Sequence, residues 1–66
     1  MTIILNGQPR EVPEGTSVRT LIEEVGLGKS ACAAEVNQQL VPRREHESRI
    51  LVESDRVELV SLVGGG

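Results

Sequence analysis

Apolar residues alternate with period two at the start of the chain, switch to a helical period after Pro13, and return to period two from Ala31 onward. Thr2 to Asn6 is rich in β-branched residues, and alternation puts Met1, Ile3 and Leu5 on one face, predicted to be the core face, with Ile4 on the other. Asn6-Gly7 accepts the positive φ angles of a tight hairpin turn, so Gln8 to Val12 is predicted to return antiparallel. Pro9 has no N–H to donate and confines that returning strand to a sheet edge.

After the break at Pro13-Glu14-Gly15, Val18, Leu21, Ile22 and Val25 recur at i, i+3, i+4 and i+7. This predicts an amphipathic helix of about two and a half turns, with Thr16 or Ser17 as its N-cap and Gly26 and Gly28 as the left-handed positions that stop it. Its outer face carries Arg19, Glu23 and Glu24. The last two are adjacent and point apart, so they form no catalytic carboxylate pair.

From Ser30 the side chains become small, and Cys32, Ala34 and Val36 alternate onto one face, predicting a central strand close under the helix. Asn37-Gln38-Gln39 reads as a polar turn and Leu40-Val41 as a brief strand closed by Pro42. Arg43 to Arg49 is charged and has no clean period, and Ile50-Leu51-Val52 is a short irregular apolar return. Glu53-Ser54-Asp55 is a turn signal, after which Arg56 to Val60 alternates with Val57 and Leu59 inward. Together these elements predict an α+β roll, a mixed sheet of four to five strands packed on one helix. Residues 1–61 form the body, and 62–66 a flexible Gly-Gly tail.

Composition removes several function classes. A chain of 66 residues without Phe, Tyr or Trp has one thin core, and little room for a substrate pocket of the usual size of about 300 to 1,000 Å³. A self-contained enzyme is not expected. Seven basic against ten acidic side chains give a net charge of -3, which lacks the positive field that nucleic acid demands, and no ring is available for base stacking. The single cysteine, Cys32, permits neither an internal disulfide nor a multi-cysteine metal site and fits a cytoplasmic protein. The N-terminal apolar run is too short for a signal peptide or membrane span.

Candidate chemistry concentrates at Gly64, Gly65 and Gly66, the last three residues given. Without Cβ atoms such a tail can thread a narrow slot and present the Gly66 α-carboxylate to a partner's active site. Leu62 to Gly66, fully extended, reaches roughly 17 Å at ~3.3 to 3.6 Å per residue. A free carboxylate is a poor electrophile, so acyl chemistry there needs activation, most simply as an acyl-adenylate made from ATP. No phosphate-cradling loop exists in this chain, so ATP and Mg²⁺ belong to a partner, and this chain is expected to bind no cofactor or metal. On composition alone the glycines are equally a frayed end.

Val60 and Leu62 alternate opposite to Val57 and Leu59 on the strand leading to Val63 and the tail. They form either a partner footprint, in which Val63 joins them, or a surface covered by a loop. Cys32 reads as a buried small hydrophobe rather than a sulfur relay. His46, between Glu45 and Glu47 with no second ligand at metal spacing, reads as a solvated loop residue. Arg43-Arg44 either docks an acidic partner or is a solvated charged loop.

The stretch Val36-Asn37-Gln38-Gln39-Leu40-Val41-Pro42-Arg43, the acidic turn at Asp55, the last alternating strand and Gly65-Gly66 resemble the ThiS family of sulfur carrier proteins of thiamine thiazole biosynthesis, over nearly the whole chain. The resemblance implies a ubiquitin-like β-grasp fold and a cycle carried by Gly66. A ThiF-type adenylating enzyme activates the carboxylate, sulfur from a donor such as a cysteine desulfurase system converts it to a thiocarboxylate, and a ThiG-type thiazole synthase takes the sulfur. On that reading the chain is a recycled cosubstrate. The alternatives are the small subunit of molybdopterin synthase, which shares the fold and Gly-Gly end, a protein modifier whose tail joins a target lysine, and an interaction module with an inert tail.

Overall fold

Two tight turns and one apolar strand determine how the sheet closes. The computed structural model describes residues 1–28 and 31–62. β1 (Thr2–Leu5) and β2 (Gln8–Glu11) form an antiparallel hairpin, with Thr2 opposite Glu11 and Leu5 opposite Gln8. Asn6 and Gly7 turn it at φ of 50° and 84°, the double left-handed conformation of a two-residue hairpin loop. Then follow α1 (Val18–Glu24), β3 (Cys32–Val36), β4 (Gln39–Val41), a 3-10 turn at Arg43–Glu45, and β5 (Arg56–Ser61). Across the sheet the order is β2-β1-β5-β3-β4. The middle strand is therefore β5, parallel to β1 and antiparallel to β3, whereas β3 is an interior strand between β5 and β4 and not the central one. Pro9 lies in the edge strand β2, where its missing N–H breaks no ladder.

The helix begins where a side chain can satisfy its free amides. Ser17 is the N-cap, its Oγ accepting from the Thr20 N–H at 3.0 Å. Two further first-turn donors find distant carbonyls: Val18 N–H donates to Arg49 O at 3.0 Å and Arg19 N–H to His46 O at 2.9 Å. The helix ends after seven residues, shorter than its apolar period suggests, because Val25 is already the C-cap. Gly26, at φ 86°, lets its own N–H reach Glu23 O and the Leu27 N–H reach Ile22 O, the paired bonds of a Schellman end. Gly28 has no left-handed φ and is not part of the stop. A Cβ there would lie 3.1 Å from Glu23 Cγ, so its small size serves close approach to the helix.

One face of the sheet and one stripe of the helix make the core. Ile3, Val12, Val18, Leu21, Ile22, Ala34, Val36, Val41, Leu51, Val57 and Leu59 are buried, with Met1, Leu5, Val25, Leu27 and Cys32 packed at its margin. The period-two faces of β1, β3 and β5 are the predicted ones. Residues 43–52, which show no period, are instead shaped by bonds to α1 and by Leu51, whose N–H donates to Thr16 O at 2.9 Å. His46 is a correction: it is buried at 7% exposure, not solvated. Its Nε2 lies 3.0 Å from Val41 O, and because a carbonyl only accepts, that nitrogen carries the proton.

At the second hairpin, the turn is Asn37-Gln38, at φ 54° and 69°, and Gln39 belongs to β4. Asp55 is buried just before β5. Its Oδ2 accepts from Val52 N–H at 2.8 Å and its Oδ1 from Asn37 Nδ2 at 3.0 Å, while its carbonyl accepts from Ile4 N–H at 2.9 Å. Hydrogen bonds to a charged group contribute about 1.5 to 3 kcal/mol each. Asp55→Ala is therefore expected to lower stability by at least about 2 kcal/mol. Urea titration would show this as a lower midpoint at unchanged slope, and an unmoved midpoint would refute the role assigned to this carboxylate.

Candidate functional site

Alternation along β5 sends Val57 and Leu59 into the core and Arg56, Glu58 and Val60 to the face away from α1. Val60 is 57% exposed and Leu62 60%, so no loop among the described residues covers either of them. The Leu62 N–H still donates to Ala31 O at 2.7 Å, extending the β5 to β3 ladder past the last strand residue. Val63, Gly64, Gly65 and Gly66 lie outside the described residues.

The cross-strand register assembles neighbours that sequence spacing does not reveal. Val60 is opposite Ala33, Glu58 is opposite Glu35, and Glu35 is opposite Leu40, which is 67% exposed. This open face thus carries Val60 and Leu40 around two carboxylates placed directly across from each other. Like charges in that relation destabilise a sheet, and no cation pairs with either among the described residues. Of the exposed large apolar side chains, Leu40, Ile50 and Val52 are those the sequence reading did not place at the surface. The signal for Leu40 was present, a lone leucine in a polar turn and short strand, but its place on this face, two strands from β5, depends on a long-range register.

The remaining candidates fall elsewhere. Cys32 is half-buried on β3 and lines a cavity of about 80 Å³ with Arg19, Glu23, Arg43 and His46. That volume accommodates only two or three waters at about 30 Å³ each. Arg19 and Arg43 are thus spatial neighbours of the thiol, although no basic residue is close in sequence. Arg19 is engaged by Glu23 at 3.1 Å. Burial pushes the Cys32 thiol above its ordinary pKa, and a hydrogen bond with the Val60 backbone offsets part of that rise. Arg43 and Arg44 are exposed, the latter 3.9 Å from Glu45. No group of three or more His, Cys, Asp or Glu side chains among the described residues is arranged to hold a metal. No helix among them is long and apolar enough to cross a membrane.

Comparison with known proteins agrees with this geometry. A model of the ThiS family matches residues 3–66. The chain is 35% identical over 66 residues to a thiazole synthase of Magnetococcus marinus, covering all of this chain and 20% of that protein. It is 30% identical to the sulfur carrier protein ThiS of Escherichia coli, over the full length of both. The crystal structure of the thiamine biosynthesis protein ThiS from Geobacter metallireducens superposes with a TM-score of 0.80 at 26% identity, each chain fully covered. The shared architecture is the β-grasp fold, a mixed five-stranded sheet on one helix.

The position of Cys32 yields a pH-dependent expectation. With its pKa raised, the folded state favours the thiol over the thiolate. This stabilisation is complete below the unfolded pKa and is lost as pH rises through the higher folded value. Iodoacetamide labelling of the native protein at pH 8 is expected to be slower than that of the urea-unfolded chain. Equal rates would contradict the burial effect.

Proposed function

The chain belongs to the ThiS family of sulfur carriers, and on that premise we propose that it carries sulfur for thiazole formation in the cytoplasm as a cosubstrate loaded at the α-carboxylate of Gly66. The observation that supports this reading is the exposed apolar ridge of Val60 and Leu62, at the end of the central strand and separated from the glycines in sequence only by Val63. A rigid body delivers the tail, and partners supply the catalysis.

Each step needs a reagent from outside the chain. A carboxylate oxygen of Gly66 attacks the α-phosphorus of ATP, releasing pyrophosphate and leaving an acyl-adenylate. Mg²⁺ and the cationic groups that stabilise the phosphate charge are held by a ThiF-type adenylating enzyme. A persulfide from a cysteine desulfurase system or related donor then displaces AMP to give an acyl disulfide, and an external thiol cleaves its S–S bond, leaving with the donor sulfur as a disulfide and freeing the thiocarboxylate. A ThiG-type thiazole synthase accepts the sulfur, and an oxygen from its substrate or from water takes the sulfur's place, so that the carboxylate is restored. The Magnetococcus thiazole synthase that includes a stretch similar to this chain supports such a partnership. Gly64 and Gly65 are the residues that thread the partner's channel, where the absence of Cβ atoms permits close approach, and Val63 joins Val60 and Leu62 in the partner-binding surface.

Incubation with ATP, Mg²⁺, a ThiF-type enzyme and a sulfur donor, followed by intact mass analysis, is expected to show exchange of one oxygen for sulfur at the C-terminus. Failure to gain sulfur, while Escherichia coli ThiS gains it in the same mixture, would overturn the proposal. Val60→Asp and Leu62→Asp are expected to slow loading by about tenfold or more at subsaturating carrier. Their unfolding midpoints should change little, because both positions are exposed. Wild-type loading rates in both variants would remove the ridge from the footprint.

A further inference from the structure

We propose that Asn6 is a positioning residue for the tail-bearing strand, its carboxamide standing in for a missing strand residue beside Leu59. Backbone pairing between β1 and β5 covers only Ile4 with Arg56 and Leu5 with Val57, and it ends where Asn6 N–H donates to Val57 O at 2.9 Å. Beyond that point the β1 backbone turns away through Asn6 and Gly7. The next groups of β5 that face β1 are the N–H and C=O of Leu59, a buried residue. Asn6 Oδ1 accepts from the Leu59 N–H at 3.0 Å, and Asn6 Nδ2 donates to Leu59 O at 3.4 Å.

Asparagine suits both requirements at this position. Its φ of 50° is a conformation that Asn and Gly adopt readily, and its short side chain carries one donor group and one acceptor. Aspartate would keep the acceptor and lose the donor. Glycine would keep the turn and lose both contacts. Opposite the clamp, β3 holds the same stretch of β5 through Ser61 across from Cys32 and through the bond from Leu62 N–H to Ala31 O. Asn6 thus supports, from the β1 side, the segment from which Val60 and Leu62 project. The corresponding asparagine of the second hairpin grips the opposite end of the strand, since Asn37 Oδ1 accepts from Arg56 N–H at 2.9 Å.

The clamp rests on geometry alone. Its consequence for docking rests on the carrier reading, and the test separates the two. Native-state hydrogen exchange by NMR on Asn6→Gly is expected to show about tenfold or greater loss of protection at the Leu59 amide relative to Ala34, in the same β-sheet core. Loss confined to the global change in stability would overturn the clamp. In adenylation assays the KM for the carrier should rise several-fold with kcat unchanged. Asn37→Gly, which loosens the start of β5, should change KM less at a comparable melting temperature. Equal KM effects in the two variants would reduce Asn6 to a stability role. Asn6→Asp, which keeps the acceptor and replaces the donor by an anionic oxygen facing the Leu59 carbonyl, is expected to shift both readouts in the same direction and serves if the glycine variant does not fold. Should wild-type protein fail to load at all, the carrier reading fails, while the exchange result still decides the clamp.

Discussion

The insertion of β5 between β1 and β3 is the constraint on which the rest of the structure depends. Without it, the β1-β2 hairpin and the β3-β4 hairpin are separate two-stranded ribbons, and isolated hairpins are marginal in water. β5 joins them through a parallel edge and an antiparallel edge, and brings Val57 and Leu59 under α1. Both joints are reinforced by side chains rather than by more backbone. Asn37 and Asp55 fasten the start of the strand, and Asn6 fastens Leu59 near its end. Around a core without a single aromatic ring, dominated by valine, leucine and isoleucine, these directional contacts, part-buried at Asn6 and anchored on the buried Asp55, help select one register over its neighbours.

The same strand leads toward the tail, so the interactions that complete the fold also aim the segment that precedes the glycines. Val60 and Leu62 are outward because Val57 and Leu59 are inward, and a one-residue slip would exchange the two sets. Burial of Leu59 therefore fixes exposure of the ridge. The two asparagine turns suppress such a slip by holding specific backbone groups of β5, and they do so from the hairpins that flank it.

Much of this architecture was legible in the chain because short-range physics decides it. Period-two alternation identifies β1, β3 and β5, Ser17 and Gly26 mark the limits of α1, and Asn6-Gly7 marks a turn. Long-range contacts decide what was not legible. No local signal makes β5 rather than β3 the middle strand. Gln38 at φ 69° is placed left-handed by the register of the hairpin it closes, not by its own preference. His46 has charged neighbours on both sides, yet the 3-10 turn folds its ring onto Val41, reversing the expectation from local polarity. The asparagines were visible as turn residues only, since a side-chain bond across 53 positions leaves no trace in spacing.

A sheet with one helix has one uncovered face, and its sequence must choose what to place there. β5 places Arg56 and Glu58 toward the strand's beginning and Val60 toward its end, followed by the exposed Leu62. Along β5 the exposed apolar side chains thus fall at its end, while the opposed carboxylates Glu35 and Glu58 separate them from Leu40 on β4. Folding gains nothing from this arrangement: the apolar side chains stay wet and the like charges repel. The exposure of Val60 and Leu62 is thus a by-product of the register that buries Val57 and Leu59, and it leaves an apolar surface at the end of β5 on which the proposed docking rests.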